Sequence, residues 1–178
     1  MKTPGTLNHI KLAIFIIVLV LACPPLRAAD PKPQERAIPY QRILVSEYQN
    51  FLGNWNEKTK PVLCAVIQTP AQYAALFHPA ATMRNKRPFA PDAQLYQKEQ
   101  ILLVARVMPA PKNMEETFAV ESVTAREEEL VVKYRFNEAN TDATFTVKNF
   151  LALRIPKHSY KKVTFIENGR KVGEVSGE

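Results

Sequence analysis

Glycine is scarce in this chain, five residues in 178 against fourteen prolines. That scarcity excludes a glycine-rich phosphate loop and a dinucleotide fingerprint, both of which need clustered glycines so that backbone N–H groups can approach a phosphate. Cysteine is scarcer still, with two. Once Cys23 is removed or lipidated, Cys64 has no intramolecular partner and no disulfide framework exists. Histidine numbers three; His9 lies near the N-terminus, which leaves His78 and His158, far apart and without zinc-like Cys/His spacing. Neither a G-x-S-x-G elbow nor an H-E-x-x-H pair occurs. No cofactor and no metal site is expected.

A long hydrophobic run is also missing. The uncharged stretch Leu12–Ala22 has eleven residues, too short to span a bilayer comfortably and of the length of a signal-peptide core, with Lys2 and Lys11 before it. Residues 1–29 therefore read as an export signal; a retained anchor is the alternative. Two processing routes stay open. Small residues after Pro24-Pro25 suit cleavage after Ala28 or Ala29, whereas Val20-Leu21-Ala22-Cys23 resembles a lipoprotein box in which Cys23 becomes the lipidated first residue. The expected location is exported from a bacterial cell, periplasmic or secreted, with a lipoprotein as the alternative and membrane contact through that lipid anchor.

What is present is a globular composition, 46% hydrophobic and 23% charged, and the part left after export, about 150 residues, suits one domain with one core. The formal charge of +7 includes Lys2, Lys11 and Arg27 of the signal, whose removal leaves 21 basic and 17 acidic residues, a net charge of +4. Such mild basicity without a concentrated stripe gives no reason to expect nucleic acid. Residues 30–39, with three prolines among charges, read as an extended linker, and 40–178 as a single α+β domain.

Within it, residues 40–55 fit a helical face through Tyr40, Ile43, Leu44, Tyr48, Phe51, Leu52 and Trp55, or a strand from about Arg42 to Phe51 paired with the next one. The run Pro61–Thr69 holds six consecutive apolar residues and predicts a strand buried on both faces, Cys64 among them as a small hydrophobe. Thr69-Pro70-Ala71-Gln72 is a helix start, a threonine cap with proline at the first helical position and glutamine three residues on. The short helix carries Tyr73, Leu76 and Phe77 on one face and ends at Pro79. Residues 79–98 show no periodicity. Gln100–Met108 predicts a second central strand, and Thr117–Val123 with Leu130–Phe136 a hairpin turning at Arg126-Glu127-Glu128-Glu129.

Ala143–Gly169 is the segment that organises the rest. Phe145, Val147, Leu151, Leu153 and Ile155 alternate, Asn149 interrupts them as a candidate bulge, and after Pro156–Lys162 the chain resumes at Val163 and reaches Asn168-Gly169, a hairpin signal because both residues tolerate positive φ. Arg170–Val175 then pairs back on Val163–Glu167, and this hairpin pairs with the strand before it. The whole predicts a largely antiparallel sheet of about six to eight strands with one short helix packed on one face.

Three segments, Val66-Ile67-Gln68-Thr69-Pro70-Ala71-Gln72-Tyr73-Ala74-Ala75-Leu76-Phe77, Gln100-Ile101-Leu102-Leu103-Val104-Ala105 and Phe150-Leu151-Ala152-Leu153-Arg154-Ile155-Pro156-Lys157, resemble the carboxy-terminal domain of the PrcB-type family, exported subunits of bacterial protease complexes. The similarity runs from about Arg42 to Phe165. Where that family carries an Asp-Phe pair and a glycine-rich segment, this chain has Asp92-Ala93 and Met108-Pro109-Ala110-Pro111-Lys112-Asn113. The resemblance favours the strand reading of 40–55, implies an accessory role beside another exported protein, and transfers no catalytic residue.

Taken together, these features lead to the expectation of an exported, non-catalytic binding or stabilising module, an accessory subunit of an envelope or secreted complex. Its candidate contact surface comprises Arg84, Lys86, Arg87 and Phe89 in the 79–98 loop and Lys157, His158, Lys161 and Lys162 after the organising strand. Two alternatives are a small exported hydrolase with a cryptic site near His78 or His158, and electrostatic docking to an anionic polymer or membrane surface through Lys157, Lys161 and Lys162.

Overall fold

A computed structural model describes residues 34–44, 50–79, 91–138 and 142–177, all within one compact unit, Pro33–Glu178. In chain order the strands are β1 (Arg36–Ala37), β2 (Gln41–Ile43), β3 (Asn50–Leu52), β4 (Val62–Ile67), β5 (Phe77–Pro79), β6 (Glu99–Pro109), β7 (Phe118–Arg126), β8 (Glu129–Phe136), β9 (Thr146–Pro156), β10 (Lys162–Glu167) and β11 (Arg170–Ser176). Two short helices, α1 (Pro70–Leu76) and α2 (Leu95–Lys98), precede β5 and β6. The class is α+β with mainly antiparallel pairing, and the strands divide among three sheets: β1-β7-β8-β10-β11, β2-β9-β6-β4, and the pair β3-β5.

The four-stranded sheet sits in the middle, which explains its uninterrupted apolar runs. Successive residues of a strand point to opposite faces, so a strand covered on both sides must be apolar at every position. On β6, Leu102 and Val104 join the core shared with the five-stranded sheet, with Tyr134, Val163 and Phe165. Ile101, Leu103 and Ala105 enter the second core, with Trp55, Tyr73 and Phe77. On β9 the same division places Leu151, Leu153 and Ile155 on one side and Phe150 and Ala152 on the other. Each fully buried Leu or Val here contributes about 1.5–3 kcal/mol relative to exposure.

The helix α1 starts as its sequence dictates. Thr69 Oγ1 accepts from Gln72 N–H at 3.1 Å, and Gln72 Oε1 accepts from Gln68 N–H at 2.6 Å, satisfying donors that the first turn leaves open. It ends at Leu76 rather than Pro79, because Phe77–Pro79 is extended and pairs with β3 as Asn50↔Pro79 and Leu52↔Phe77. Tyr73 stacks on Phe77 with centroids 4.7 Å apart, and Phe77 meets Phe150 edge-on at 5.4 Å, so one aromatic column ties the helix layer to the central sheet.

Both expected hairpins form. Glu127 at φ 54° turns β7 into β8, and Asn168 and Gly169, at φ 49° and 78°, turn β10 into β11 with Glu167 opposite Arg170. Two positive φ values are the type I′ requirement that favours Asn-Gly. The Asn168 side chain adds a further lock, accepting from Phe136 N–H and donating to Phe136 C=O, each at 3.1 Å.

Several expectations are corrected. Residues 34–39 do not form a solvated linker: Arg36 and Ala37 pair with Ala125 and Thr124, and Ile38 is buried with its N–H on Val123 C=O at 2.8 Å. The apolar Ile38 side chain anchors the segment. Residues 40–55 hold two short strands instead of one, β2 on β9 and β3 on β5, neither beside β4. Asn149 marks no bulge, since β6 and β9 stay in register from Glu99↔Pro156 to Pro109↔Thr146; it is buried, and its Nδ2 donates to Met114 C=O at 3.1 Å. Finally, β9 does not pair with the Asn168-Gly169 hairpin. The chain crosses to the other sheet after Pro156, and β10 lies parallel to β8, with Lys162 opposite Glu129 and Glu167 opposite Tyr134.

Candidate functional site

That crossing, residues 157–161, is where the predicted basic contact residues fall, and it separates two cavities. The first, about 270 Å³, is lined by Arg36, Ala37, Ile38, Pro39, Pro156, Lys157, His158 and Tyr160. It forms because β1 and the end of β9 bring the N-terminal segment against the crossing. Arg36 and Lys157 contribute positive charge, and no carboxylate is among the described lining residues. Lys157 is held from both ends, its N–H on Lys98 C=O at 2.8 Å and its Nζ on Tyr96 C=O at 2.7 Å. The His158 ring packs edge-on against Tyr160 at 4.7 Å. Burial raises the Tyr160 hydroxyl pKa, with the charge of Arg36 and a hydrogen bond from it pulling the other way.

The second cavity, about 150 Å³, lies at the seam where β4 meets β11. Three glutamines converge on it. Gln100 is fully buried; its Oε1 accepts from Gln68 Nε2 at 3.0 Å and its Nε2 donates to His158 C=O at 3.3 Å. Gln72 reaches the cavity from the first turn of α1, and Tyr160, Val66, Val163, Val175, Ser176 and Gly177 complete the wall. Tyr160 lines both cavities.

The remaining basic residues of the crossing are neutralised within the fold. Lys161 pairs with Glu128 and Lys162 with Glu129, and each carboxylate raises the pKa of its lysine. The acidic hairpin turn and the basic crossing, far apart in sequence, are thus each other's partners, through exposed pairs of small energetic worth. The structure brings Lys157 and His158 to one cavity and turns Lys161 and Lys162 away to the acidic turn. Arg84, Lys86, Arg87 and Phe89 lie outside the described residues, as do Cys23, Ala28 and Ala29. The backbone of His78 stands in β5 opposite Phe51, in a different layer from His158.

Two further polar groupings serve the fold. Glu167, nearly buried at the end of β10, receives Arg106 Nε at 2.8 Å and the Tyr134 hydroxyl at 3.0 Å, while the Arg106 guanidinium lies 5.0 Å from the Phe136 ring centre. Burial alone would lower the Arg106 pKa; hydrogen bonding and charge from Glu167 outweigh it and raise the pKa instead. Burial, then the Glu167 charge, drives the Tyr134 hydroxyl far up. Burial also pushes the Cys64 thiol up to about 11, which keeps it protonated and a poor nucleophile. Among the described residues no group of three or more His, Cys, Asp or Glu is placed to hold a metal ion, and no helix is long and apolar enough to cross a membrane.

Sequence reasoning missed Arg36, the three glutamines and Tyr160. Arg36 reads as part of a linker, and Gln68 and Gln100 carry no periodic signal at all. The position of Gln100 at the head of an apolar strand was the one available hint, since a polar residue buried there needs partners.

The fold and site define a small α+β domain built as a β-sandwich with a helical layer on its central sheet, carrying two small cavities at one chain crossing. No protein-family model matches the chain, and neither does any curated protein or any solved structure.

Proposed function

We propose that this chain is an exported, non-catalytic binding module that holds an anionic group, a carboxylate of another exported protein, in the cavity between Arg36 and Lys157. The observation that carries the reading is a concave site lined by Arg36, Lys157, His158 and Tyr160, with no acidic residue among its described lining. Ordinary surfaces intersperse both signs, as the Lys161–Glu128 and Lys162–Glu129 pairs do here. A cavity that leaves positive charge uncompensated favours a negative ligand. The signal-like N-terminus and the resemblance to accessory subunits support the exported, partner-binding part of the reading.

Titration of the chain lacking residues 1–29 with an aspartate-rich peptide, and separately with inorganic phosphate, followed by NMR at His158 and Tyr160, tests it. Shifts at both residues are expected, with affinity reduced about tenfold in Lys157→Gln or Arg36→Gln, the loss of one charge-assisted hydrogen bond. Equal affinity in the wild type and both variants refutes the site. Phosphate binding without peptide binding refutes the protein carboxylate as its ligand.

A further inference from the structure

The seam cavity makes a separate and more specific demand on its ligand. We propose that it binds the acetamido group of an N-acetylated amino sugar. No charged side chain is among its described lining residues, so an ionic group entering it would lose water without compensation. Beside the hydroxyl residues Tyr160 and Ser176, its polar side chains are three glutamine amides with capacity to spare. A glutamine side chain offers two N–H donors and a carbonyl with two lone pairs. Gln100 uses one donor, on His158 C=O, and one lone pair, for Gln68. Among the described residues, exposed Gln72 uses its carbonyl on Gln68 N–H and has no partner for its amide nitrogen, while Gln68 spends its nitrogen on Gln100 and its carbonyl has none. The cavity therefore presents donors and acceptors side by side.

A secondary amide has the complementary pair, one N–H and one C=O. The apolar remainder of the wall, Val66, Val163 and Val175, suits the methyl group attached to that amide. Size narrows the choice. At about 150 Å³ the cavity is well below the roughly 300 Å³ at which whole-ligand pockets begin, so it takes a pendant group while the rest of the ligand stays outside. A peptide backbone carries its amides within the chain and cannot present one this way. An amino sugar presents its acetamido group as a short branch. Gly177 closes one end so tightly that a Cβ there would lie 1.6 Å from the Tyr160 carbonyl oxygen, and its N–H donates to Lys161 C=O at 2.9 Å. The cavity shares Tyr160 with the Arg36–Lys157 site but none of its charged residues, so different ligands test the two readings.

The test is an NMR titration of the chain lacking residues 1–29 with a trimer of N-acetylglucosamine, observing the side-chain amide signals of Gln68, Gln72 and Gln100. A glucose trimer and an unacetylated trialanine peptide, whose amides all lie within its backbone, serve as the comparison ligands. Saturable shifts at these amides with the acetylated sugar, at least tenfold weaker with the glucose trimer and the peptide, are expected. Lys161→Gln, at an exposed residue that lines neither cavity, leaves sugar affinity unchanged, whereas Gln68→Leu reduces it about tenfold, the worth of one buried hydrogen-bond partner. Because Gln100→Leu risks the fold, the wild-type shifts carry the decision. Absence of shifts, equal response to the glucose trimer, or tighter binding of the peptide overturns the proposal.

Discussion

Gly173 on β11 offers the sharpest test of how the sandwich closes. A Cβ built at that position would stand 2.5 Å from Cys64 Sγ and 2.9 Å from Cys64 Cβ, inside any permissible contact, so Gly173→Ala must push β11 away from β4. Overpacking of this kind costs about 1–3 kcal/mol. The substitution also removes backbone freedom from the unfolded chain, a stabilising contribution of about 0.4–1 kcal/mol. A net loss of about 1–2 kcal/mol is therefore expected, a drop of up to about 1 M in the urea midpoint for a domain of this size. Cys64→Ala alone loses a buried sulfur at a cost of about 1 kcal/mol, but it also vacates the space that the new methyl needs. The double variant should be more stable than the sum of the singles predicts by about 1 kcal/mol, a coupling that urea denaturation of all four proteins resolves. Additivity within about 0.3 kcal/mol would refute the inference that Cys64 and Gly173 share one packing constraint.

Three other outcomes follow from the same geometry. Glu167→Ala should cost about 3 kcal/mol by leaving Arg106 half-buried without its partner, Tyr134→Phe about 1.5 kcal/mol, and Arg106→Met with Glu167→Met less than Glu167→Ala alone, all read by chemical denaturation. Asn168→Ala should lose about 1–2 kcal/mol, combining the bonds to Phe136 with a positive φ that alanine resists, while Asn168→Gly keeps the φ and loses less; thermal unfolding separates them. Burial raises Cys64 from 9.0 to about 11 and Tyr96 from 10.0 to about 12. The unfolded chain releases these protons first, so stability should fall as pH rises from about 9 to 12, and Cys64→Ala should flatten the lower part of that decline in a pH series of denaturation curves.

The strands and turns were legible where one physical demand dominates locally. Ile101–Ala105 announces a strand covered on both faces, Thr69-Pro70 announces a helix start, and Asn168-Gly169 announces a tight hairpin. Partition among sheets was not legible, because period-2 alternation says which face a residue takes and nothing about which neighbour it pairs with. The apolar residues Leu151, Leu153 and Ile155 would read identically beside β10 or beside β6. Short edge strands such as β1, two residues long, leave no periodicity to detect. At the candidate site, Lys157 and His158 were visible as a basic loop. Arg36 and Gln100 become site residues only through long-range pairing of β1 with β7 and of β6 with β9.

The parallel seam between β8 and β10 carries a consequence for assembly and for quality control in the cell. Each strand belongs to a local hairpin that can form early, yet the two hairpins come together only after the intervening chain has been laid into the opposite sheet, a non-local closure that slows folding. Until then β8 presents an open edge bearing Leu130, Val132 and Tyr134, all fully buried in the finished domain, which is a template for pairing with other copies. The β10–β11 hairpin acts as a cover for that edge. Truncation before Lys162 should therefore produce aggregation rather than a smaller soluble domain.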